Sequence, residues 1–249
     1  MLTNNSGRIA LVTGASRGIG AAIAVRLAAG GMRVLINHRA SPEAADEVAQ
    51  RIVASGGQAE VLQTDVSDLD AVRTLMTRIR RSYGRLDVLI NNAGRSEDGL
   101  LLLMPHERWW AVLNDNLAPV VNCSRAALPL LLQERGGAIV NVSSLSGTRG
   151  VEGQTAYGAA KAAVIGFTRA LAREVARKGL AVNCVAPGPI DTEMYAQVSE
   201  QKRAARLALL PLGRLGTCEE VAEVVALLAE GRAGFVHGQV INIDGGSSA

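Results

Sequence analysis

The stretch Ile9-Ala10-Leu11-Val12-Thr13-Gly14-Ala15-Ser16-Arg17-Gly18-Ile19-Gly20 decides the fold. Its first half, 9–13, is a short apolar, β-branched run stopped by glycine, which reads as a buried strand. Its second half is a glycine-rich turn, and an alanine-rich helical stretch over 21–29 follows at once. The glycines are spaced GxxxGxG rather than GxGxxG, but the physics is shared. Residues without a Cβ let the chain turn sharply and let backbone approach a pyrophosphate, which then sits on the N–H groups of a helix N-terminus. Ser16, Arg17 and Ile19 fill that turn. A glycine turn alone also serves as a plain structural turn; its place at the first strand–helix junction favours the nucleotide reading.

The same alternation continues outward. Strands are expected at 34–37, 59–63, 88–91, 138–142, 181–185 and 240–243, and helices at 42–55, 69–83, about 105–133, 155–178 and 219–229. The strands show no polar alternation, so both of their faces are buried. Helices between them require crossover connections. Together these predict a single-domain α/β chain: a Rossmann-like, doubly wound, parallel seven-stranded sheet with helices on both faces. The least regular segment, 187–217, carries three prolines and reads as a substrate loop.

Composition excludes several classes. The chain has 249 residues, 48% hydrophobic and 20% charged, with net charge +3. That is apolar enough to bury a core and too weakly charged for disorder. No run of ~18 uncharged apolar residues occurs, and 1–7 is short and polar, so neither a membrane span nor a signal peptide is expected. Cys123, Cys184 and Cys218 are odd in number and scattered, which fits a reducing cytoplasm and no metal centre. Only Lys161, Lys178 and Lys202 among the 26 basic residues are lysine. The basic residues form no run, are interspersed with 23 acidic ones, and aromatics are 3%, so nucleic acid is not an expected partner.

The end of the second strand discriminates between nicotinamide cofactors. A site for a free ribose 2′-hydroxyl places an acid there. This chain has Asn37-His38-Arg39, and Arg39 with Arg17 can clamp a 2′-phosphate. NADPH is therefore the expected cofactor; the alternative is two solvated arginines. Asp65 and Val66 follow the third strand, and Asn91, Asn92, Ala93 and Gly94 follow the fourth, all at C-terminal strand ends where such sheets bind ligands.

Tyr157 and Lys161 are four apart on a helix and share a face. A phenol with an ordinary pKa of ~10 is a weak acid–base group, and a neighbouring ammonium lowers that pKa. Ser144, ending the fifth strand, can reach the same carbonyl oxygen, or simply cap a turn. Asn116, inside the long helix, bends the helix, holds a water, or is structural.

In this order and spacing, Thr13 to Gly20, Asn91 to Gly94, Asn116, Ser144, Tyr157, Lys161 and Pro187-Gly188 identify the chain as resembling the short-chain dehydrogenase/reductase family over nearly its whole length. The resemblance implies that Ser144 and Tyr157 bind the substrate oxygen and Tyr157 donates the proton. Lys161 lowers its pKa and binds the nicotinamide ribose, and Asn116 positions a relay water. Pro187, Gly188, Ile190 and Thr192 hold the carboxamide. Stretches such as Gly153-Gln154-Thr-Ala-Tyr157 and Pro211-Leu-Gly-Arg-Leu-Gly216 are most similar to the members that reduce carrier-bound 3-oxoacyl thioesters with NADPH. The resemblance further implies a homo-oligomer, a dimer of dimers, and docking of an acidic acyl carrier protein on Arg135 and Lys178. A second apolar stripe on the 155–178 helix, Ala159, Ala163, Gly166 and Ala170, suits a subunit contact.

Three departures keep other readings open. Arg95 follows Asn-Asn-Ala-Gly, Leu100 to Leu103 is unbroken leucine, and Trp109-Trp110 is doubled. A ketoreductase of polyketide or specialised lipid synthesis, or a sugar or secondary-alcohol dehydrogenase, would share this chemistry. A non-catalytic NADPH-binding regulator is the reading from another class; loss of Tyr157 or Lys161 would favour it, and both are present.

Overall fold

In the computed structural model the described residues are 5–133, 136–192, 207 and 210–249. Seven strands make one parallel sheet: β1 (Ile9–Val12), β2 (Arg33–His38), β3 (Gln58–Gln63), β4 (Val88–Asn91), β5 (Ala138–Val142), β6 (Ala181–Pro187) and β7 (Val240–Ile243), in the order β3-β2-β1-β4-β5-β6-β7. All six pairings are parallel, with Leu11 opposite both Leu35 and Leu89 at the centre. The order runs outward from β1 to β3, then restarts on the other side of β1 at β4. Crossovers leave in opposite directions at that point, which opens a crevice at the C-terminal ends of β1 and β4.

Helices α1 (Gly18–Ala29), α2 (Pro42–Ala54) and α7 (Cys218–Ala229) cover one face, and α3 (Leu69–Tyr83), α4 (His106–Leu131) and α6 (Thr155–Val175) the other. A short α5 (Leu145–Thr148) stands between β5 and α6. The strands contribute both layers: Ala10, Val12, Val34 and Ile36 face the first, Leu11, Leu35 and Leu89 the second, all without exposure. Their lack of polar alternation follows from this two-sided burial.

Helix ends obey local chemistry. Asp68 caps α3 by accepting from Asp70 N (2.8 Å) and Ala71 N (3.1 Å), and Gly84 ends it in the left-handed region. Thr217 and Glu220 form a reciprocal capping box on α7.

The structure differs from expectation at a few boundaries. Helix α1 starts at Gly18, inside the glycine motif, so the motif supplies the first helical N–H groups itself. Strand β6 continues to Pro187 because β7 pairs with it as far as Pro187↔Ile243. The 155–178 helix is α-helical only to Val175; residues Ala176–Lys178 tighten into a 3-10 turn that Gly179 ends at φ 75°. Helix α5, four residues long, left no periodic signal.

Candidate active site

The glycine turn is fixed by steric necessity. Gly14 has φ +61°, and a Cβ there would stand 2.9 Å from Ala93 Cα. A Cβ on Gly20 would come within 2.4 Å of the Gly14 carbonyl and 2.5 Å of Asn92 Nδ2. The two loops at the switch point are thus in backbone contact, and hydrogen bonds lock them. Asn92 Nδ2 donates to the carbonyls of Thr13 (3.0 Å) and Gly14 (2.9 Å). Thr13 Oγ1 accepts from the N–H groups of Asn92 (3.0 Å) and Ala93 (3.1 Å). Asn92 shapes the turn with its side chain, so what it presents outward is the rigid backbone of the crevice.

Asn37, which sequence reasoning did not single out as a site residue, performs the same task on the other side. It is buried, accepts from Gly14 N (3.4 Å), and donates to the carbonyls of Leu62 (3.2 Å) and Thr64 (3.0 Å). A polar residue in an otherwise apolar buried strand was the available signal. Its neighbours separate. His38 is buried, with Nδ1 accepting from Ser41 N at 3.2 Å, so its ring belongs to the β2–α2 turn. Of this pair Arg39 offers an exposed side chain and His38 a buried one. Arg17, the N-cap of α1, is exposed too.

Arg39 Nη1 stands 3.8 Å from Asp65 Oδ2, with the two side chains 65% and 42% exposed. Asp65 is held below the usual carboxylate range, first by the hydrogen bond from the Ser67 hydroxyl (2.6 Å) and, further down, by Arg39. Such an open pair is worth little in water, so the guanidinium can exchange it for a stronger anion. Val66 is buried, and its carbonyl accepts from Asn122 Nδ2.

The C-terminal wall comes from the end of β6. Gly188 N donates to Ile243 O (2.9 Å), Asp191 N to Gly216 O (2.8 Å), and Ile190 is buried. Thr192 Cγ2 lies 3.8 Å from where a Cβ on Gly18 would be, so this segment meets the glycine turn across the crevice. Among residues 187–217, 193–206 and 208–209 lie outside the described residues, as does Arg135.

The chemical groups converge behind this wall. Lys161 is 4% exposed; its Nζ donates to the Val142 carbonyl (3.0 Å) and lies 5.6 Å from the Tyr157 ring centroid. Ser143 Oγ anchors the Lys161 backbone (2.8 Å). Asn116 is fully buried. Its Nδ2 donates to the carbonyls of Val112 and Arg95 (2.8 Å each), and its Oδ1 accepts from Arg95 N (3.2 Å). Its side chain therefore clamps the loop after β4 onto α4. A Cβ on Gly94 would collide with Asn116 Oδ1 at 2.4 Å and stand 3.4 Å from Lys161 Nζ, which brings loop, asparagine and lysine into one cluster.

Burial drives the Lys161 ammonium down to about 8, with Cys184 acting in the opposite sense. Burial also pushes the Tyr157 phenol up; the hydrogen bond with Ser144 draws it back, and the Asp98 carboxylate pushes it up again. This reverses the sequence-based expectation of a lowered tyrosine. Desolvation dominates, because the phenolate is the form that loses most on leaving water. A phenol that keeps its proton at neutral pH is suited to giving that proton away.

The unusual residues also find places. Arg95 does not stand as a bare charge in the site: its Nε pairs with Asp115 (2.5 Å) and its Nη1 with Glu97 (3.5 Å), which Arg108 also holds (2.5 Å). Leu100 to Leu103 are 49–93% exposed and Trp110 is 52% exposed, so this run joins none of the cores formed by the described residues.

A strand–glycine–helix crevice with an acid tyrosine, a buried lysine and a serine at its inner end defines a nucleotide-dependent oxidoreductase site. Comparison with known proteins agrees. A family profile described as "Enoyl-(Acyl carrier protein) reductase" matches residues 14–248. The 3-oxoacyl-[acyl-carrier-protein] reductase of Synechocystis is 44% identical over 98% of both chains. The 3-oxoacyl-[acyl-carrier-protein] reductase FabG of Escherichia coli is 42% identical, again over 98% of each. A crystal structure of a short-chain dehydrogenase from Burkholderia cenocepacia in complex with NADP superposes with a TM-score of 0.91 at 40% identity, covering 99% of this chain and 100% of that one. A double mutant of a short-chain dehydrogenase/reductase from Serratia marcescens gives 0.92 at 35% identity, covering 99% and 100%. The chain belongs to the short-chain dehydrogenase/reductase family of oxidoreductases.

Proposed function

We propose that the protein reduces 3-oxoacyl thioesters, carried on an acyl carrier protein, to 3-hydroxyacyl thioesters with NADPH. The observation that carries this reading is the convergence of Ser144, Tyr157 and Lys161 opposite a glycine turn whose β2 end presents Arg39 and no acid. Near-full-length identity to reductases of that name supports the substrate class.

Gly14, Ser16, Arg17, Gly18, Ile19 and Gly20 form the pyrophosphate cradle, with Arg39 on the 2′-phosphate. Asp65 and Val66 flank the adenine end. Asn92, Ala93 and Gly94 back the nicotinamide side, and Pro187, Gly188, Ile190 and Thr192 close over it. NADPH, when bound, supplies the hydride. Ser144 and Tyr157 hold the C3 carbonyl oxygen, and Tyr157 gives its phenolic proton to the alkoxide that forms there, so the product leaves as the alcohol. Lys161 keeps a positive charge beneath the phenolate left behind, and Asn116 fixes the wall beside it. The segment 187–217 serves as the substrate loop.

Both acid groups fail on the same side of pH. Reduction needs the phenol protonated and the ammonium charged, and each is lost as pH rises. The rate constant kcat/KM for reduction is expected to hold through neutrality and fall as pH passes about 8, the value burial imposes on Lys161. A rate that climbs through that range contradicts the assignment.

An exposed Lys178 suits an acidic carrier, and the Gly136 N–H donates to the Gly179 carbonyl (3.1 Å), which brings the turn before β5 beside the turn before β6. Assembly as a dimer of dimers is supported by exposure of Ala159, Gly166 and Ala170 along α6 and of Phe235 beside β7. No helix among the described residues is long and apolar enough to cross a membrane, which is compatible with work in the cytoplasm.

A substrate panel tests the function. NADPH oxidation is expected with acetoacetyl and longer 3-oxoacyl thioesters, and much faster than with cyclic ketones, sugars or 2-enoyl thioesters. A preference for any of the latter overturns the reading.

A further inference from the structure

The loop after β4 is fastened to α4 at two consecutive helical residues. Asn116 holds the loop backbone: its Oδ1 accepts from Arg95 N at 3.2 Å and its Nδ2 donates to Arg95 O at 2.8 Å. Asp115 holds the side chain of the same residue, its Oδ2 accepting from Arg95 Nε at 2.5 Å. A further tie joins Glu97 to Arg108, whose Nε and Nη2 donate to the carboxylate at 3.0 and 2.5 Å. Arg95 Nη1 stands 3.5 Å from Glu97, so the guanidinium lies between two acids.

The two grips on residue 95 differ in kind. Asn116 meets its peptide groups, whereas the Asp115 tie exists because residue 95 is arginine and residue 115 is aspartate. Asn116 is fully buried and the Asp115 side chain is 29% exposed, so the loop is gripped from two flanks of α4. What the grip positions is Gly94. A Cβ there would stand 2.4 Å from Asn116 Oδ1 and 3.4 Å from Lys161 Nζ. The buried ammonium therefore has this loop on one side and the Val142 carbonyl, which accepts from it at 3.0 Å, on another.

We propose that Arg95 and Asp115 are positioning residues for the reduction: their ion pair holds the Gly94–Arg95 backbone as a wall against Lys161 and keeps bulk water from the ammonium. The proposal rests on the functional reading above. An ammonium out of water acts more strongly on the phenolate beside it, because less solvent screens the charge. A slack wall lowers turnover without removing any group that touches substrate.

The groups facing Lys161 are few. Its own helix brings Tyr157, with the ring centroid 5.6 Å from Nζ. From β6 comes Cys184, a thiol that burial pushes up to about 11 and that is neutral where the enzyme works. β5 and α5 bring Val142, Ser143 and Gly147, none of them charged. The loop and α4 bring Arg95, Glu97, Arg108 and Asp115, paired with one another, and Asp98, which acts on Tyr157. Burial is the largest influence on Lys161 and holds it low. Water admitted past the wall relieves that burial, so Lys161 then keeps its proton to higher pH.

The test compares Arg95→Gln, Asp115→Asn and the double variant with wild type on acetoacetyl thioester. Each single variant is expected to lower kcat about fivefold, the worth of a partly exposed ion pair, with the thioester KM and the NADPH Kd within about twofold. The double variant should lose no more than either single one, because both remove the same tie. Arg95→Lys, which keeps a cation for Asp115, should recover most of the loss. The alkaline limb of kcat/KM should move to higher pH in both single variants. By charge alone the two would move it in opposite directions, up without the arginine and down without the aspartate. A limb that moves down in Asp115→Asn, losses that add in the double variant, or an unchanged kcat overturns the proposal, while wild-type turnover upholds the functional reading. A wild type inactive on the thioester overturns that reading, and hydrogen exchange at the Arg95 amide, which donates to Asn116, then decides the wall. Exchange about fivefold faster in Asp115→Asn supports it, and an unchanged rate overturns it. Should Arg95→Gln fail to fold, the nearly isosteric Asp115→Asn decides both the limb and the exchange.

Discussion

Replacing Tyr157 by phenylalanine is expected to lower kcat by ~10³-fold, within the range for a lost general acid, and to leave NADPH binding within about twofold. The ring that packs beside Lys161 remains, so the crevice keeps its shape. What disappears is the group that combines a transferable proton with reach to the carbonyl oxygen. Ser144 still donates a hydrogen bond, but a serine hydroxyl is far too weak an acid to release its proton on the timescale of turnover. Stopped-flow hydride transfer and fluorescence titration with NADPH measure the two quantities separately. Turnover near the wild-type rate would mean that the proton comes from elsewhere, and the direction assigned to burial at Tyr157 would lose its functional meaning.

The second large effect concerns Arg39. Arg39→Asp is expected to reduce kcat/KM for NADPH about a hundredfold and to raise that for NADH, reversing the preference. A charge-assisted hydrogen bond to a phosphate is worth ~2 kcal/mol or more, and a carboxylate in its place repels the same phosphate while accepting from a ribose hydroxyl. Asp65 adds to the repulsion, since its oxygen lies 3.8 Å from the present guanidinium. Parallel rates with both cofactors settle the point; a variant that still prefers NADPH would place the 2′-phosphate away from the end of β2.

The sheet was legible because its residues obey one rule. Strands such as Ile9–Val12 and Val88–Asn91 are apolar on both faces, and only a two-sided parallel sheet requires that. The cluster of Ser144, Tyr157 and Lys161 was legible for a different reason: its members carry chemistry that their spacing could suggest. What the sequence hid was the division of labour among polar groups. Asn92 looks like a ligand contact and Asn37 like plain strand, yet both side chains are engaged in holding the glycine turn. His38 stands beside Arg39 in the chain but ends the buried strand β2, whereas Arg39 lies just beyond it and is exposed. The tyrosine's raised pKa was missed because proximity of a lysine can be read from a helix register, whereas desolvation is a property of the assembled site.

The most direct test of the account follows a deuterium label. The protein, a 3-oxoacyl thioester on its carrier protein, and NADPH carrying deuterium at the transferable position are combined, and the product is analysed by mass spectrometry. The account predicts a 3-hydroxyacyl thioester with one deuterium at C3, formed in step with NADPH consumption. Consumption of NADPH without label at C3, or labelling of an enoyl substrate in preference to the 3-oxoacyl one, would contradict it.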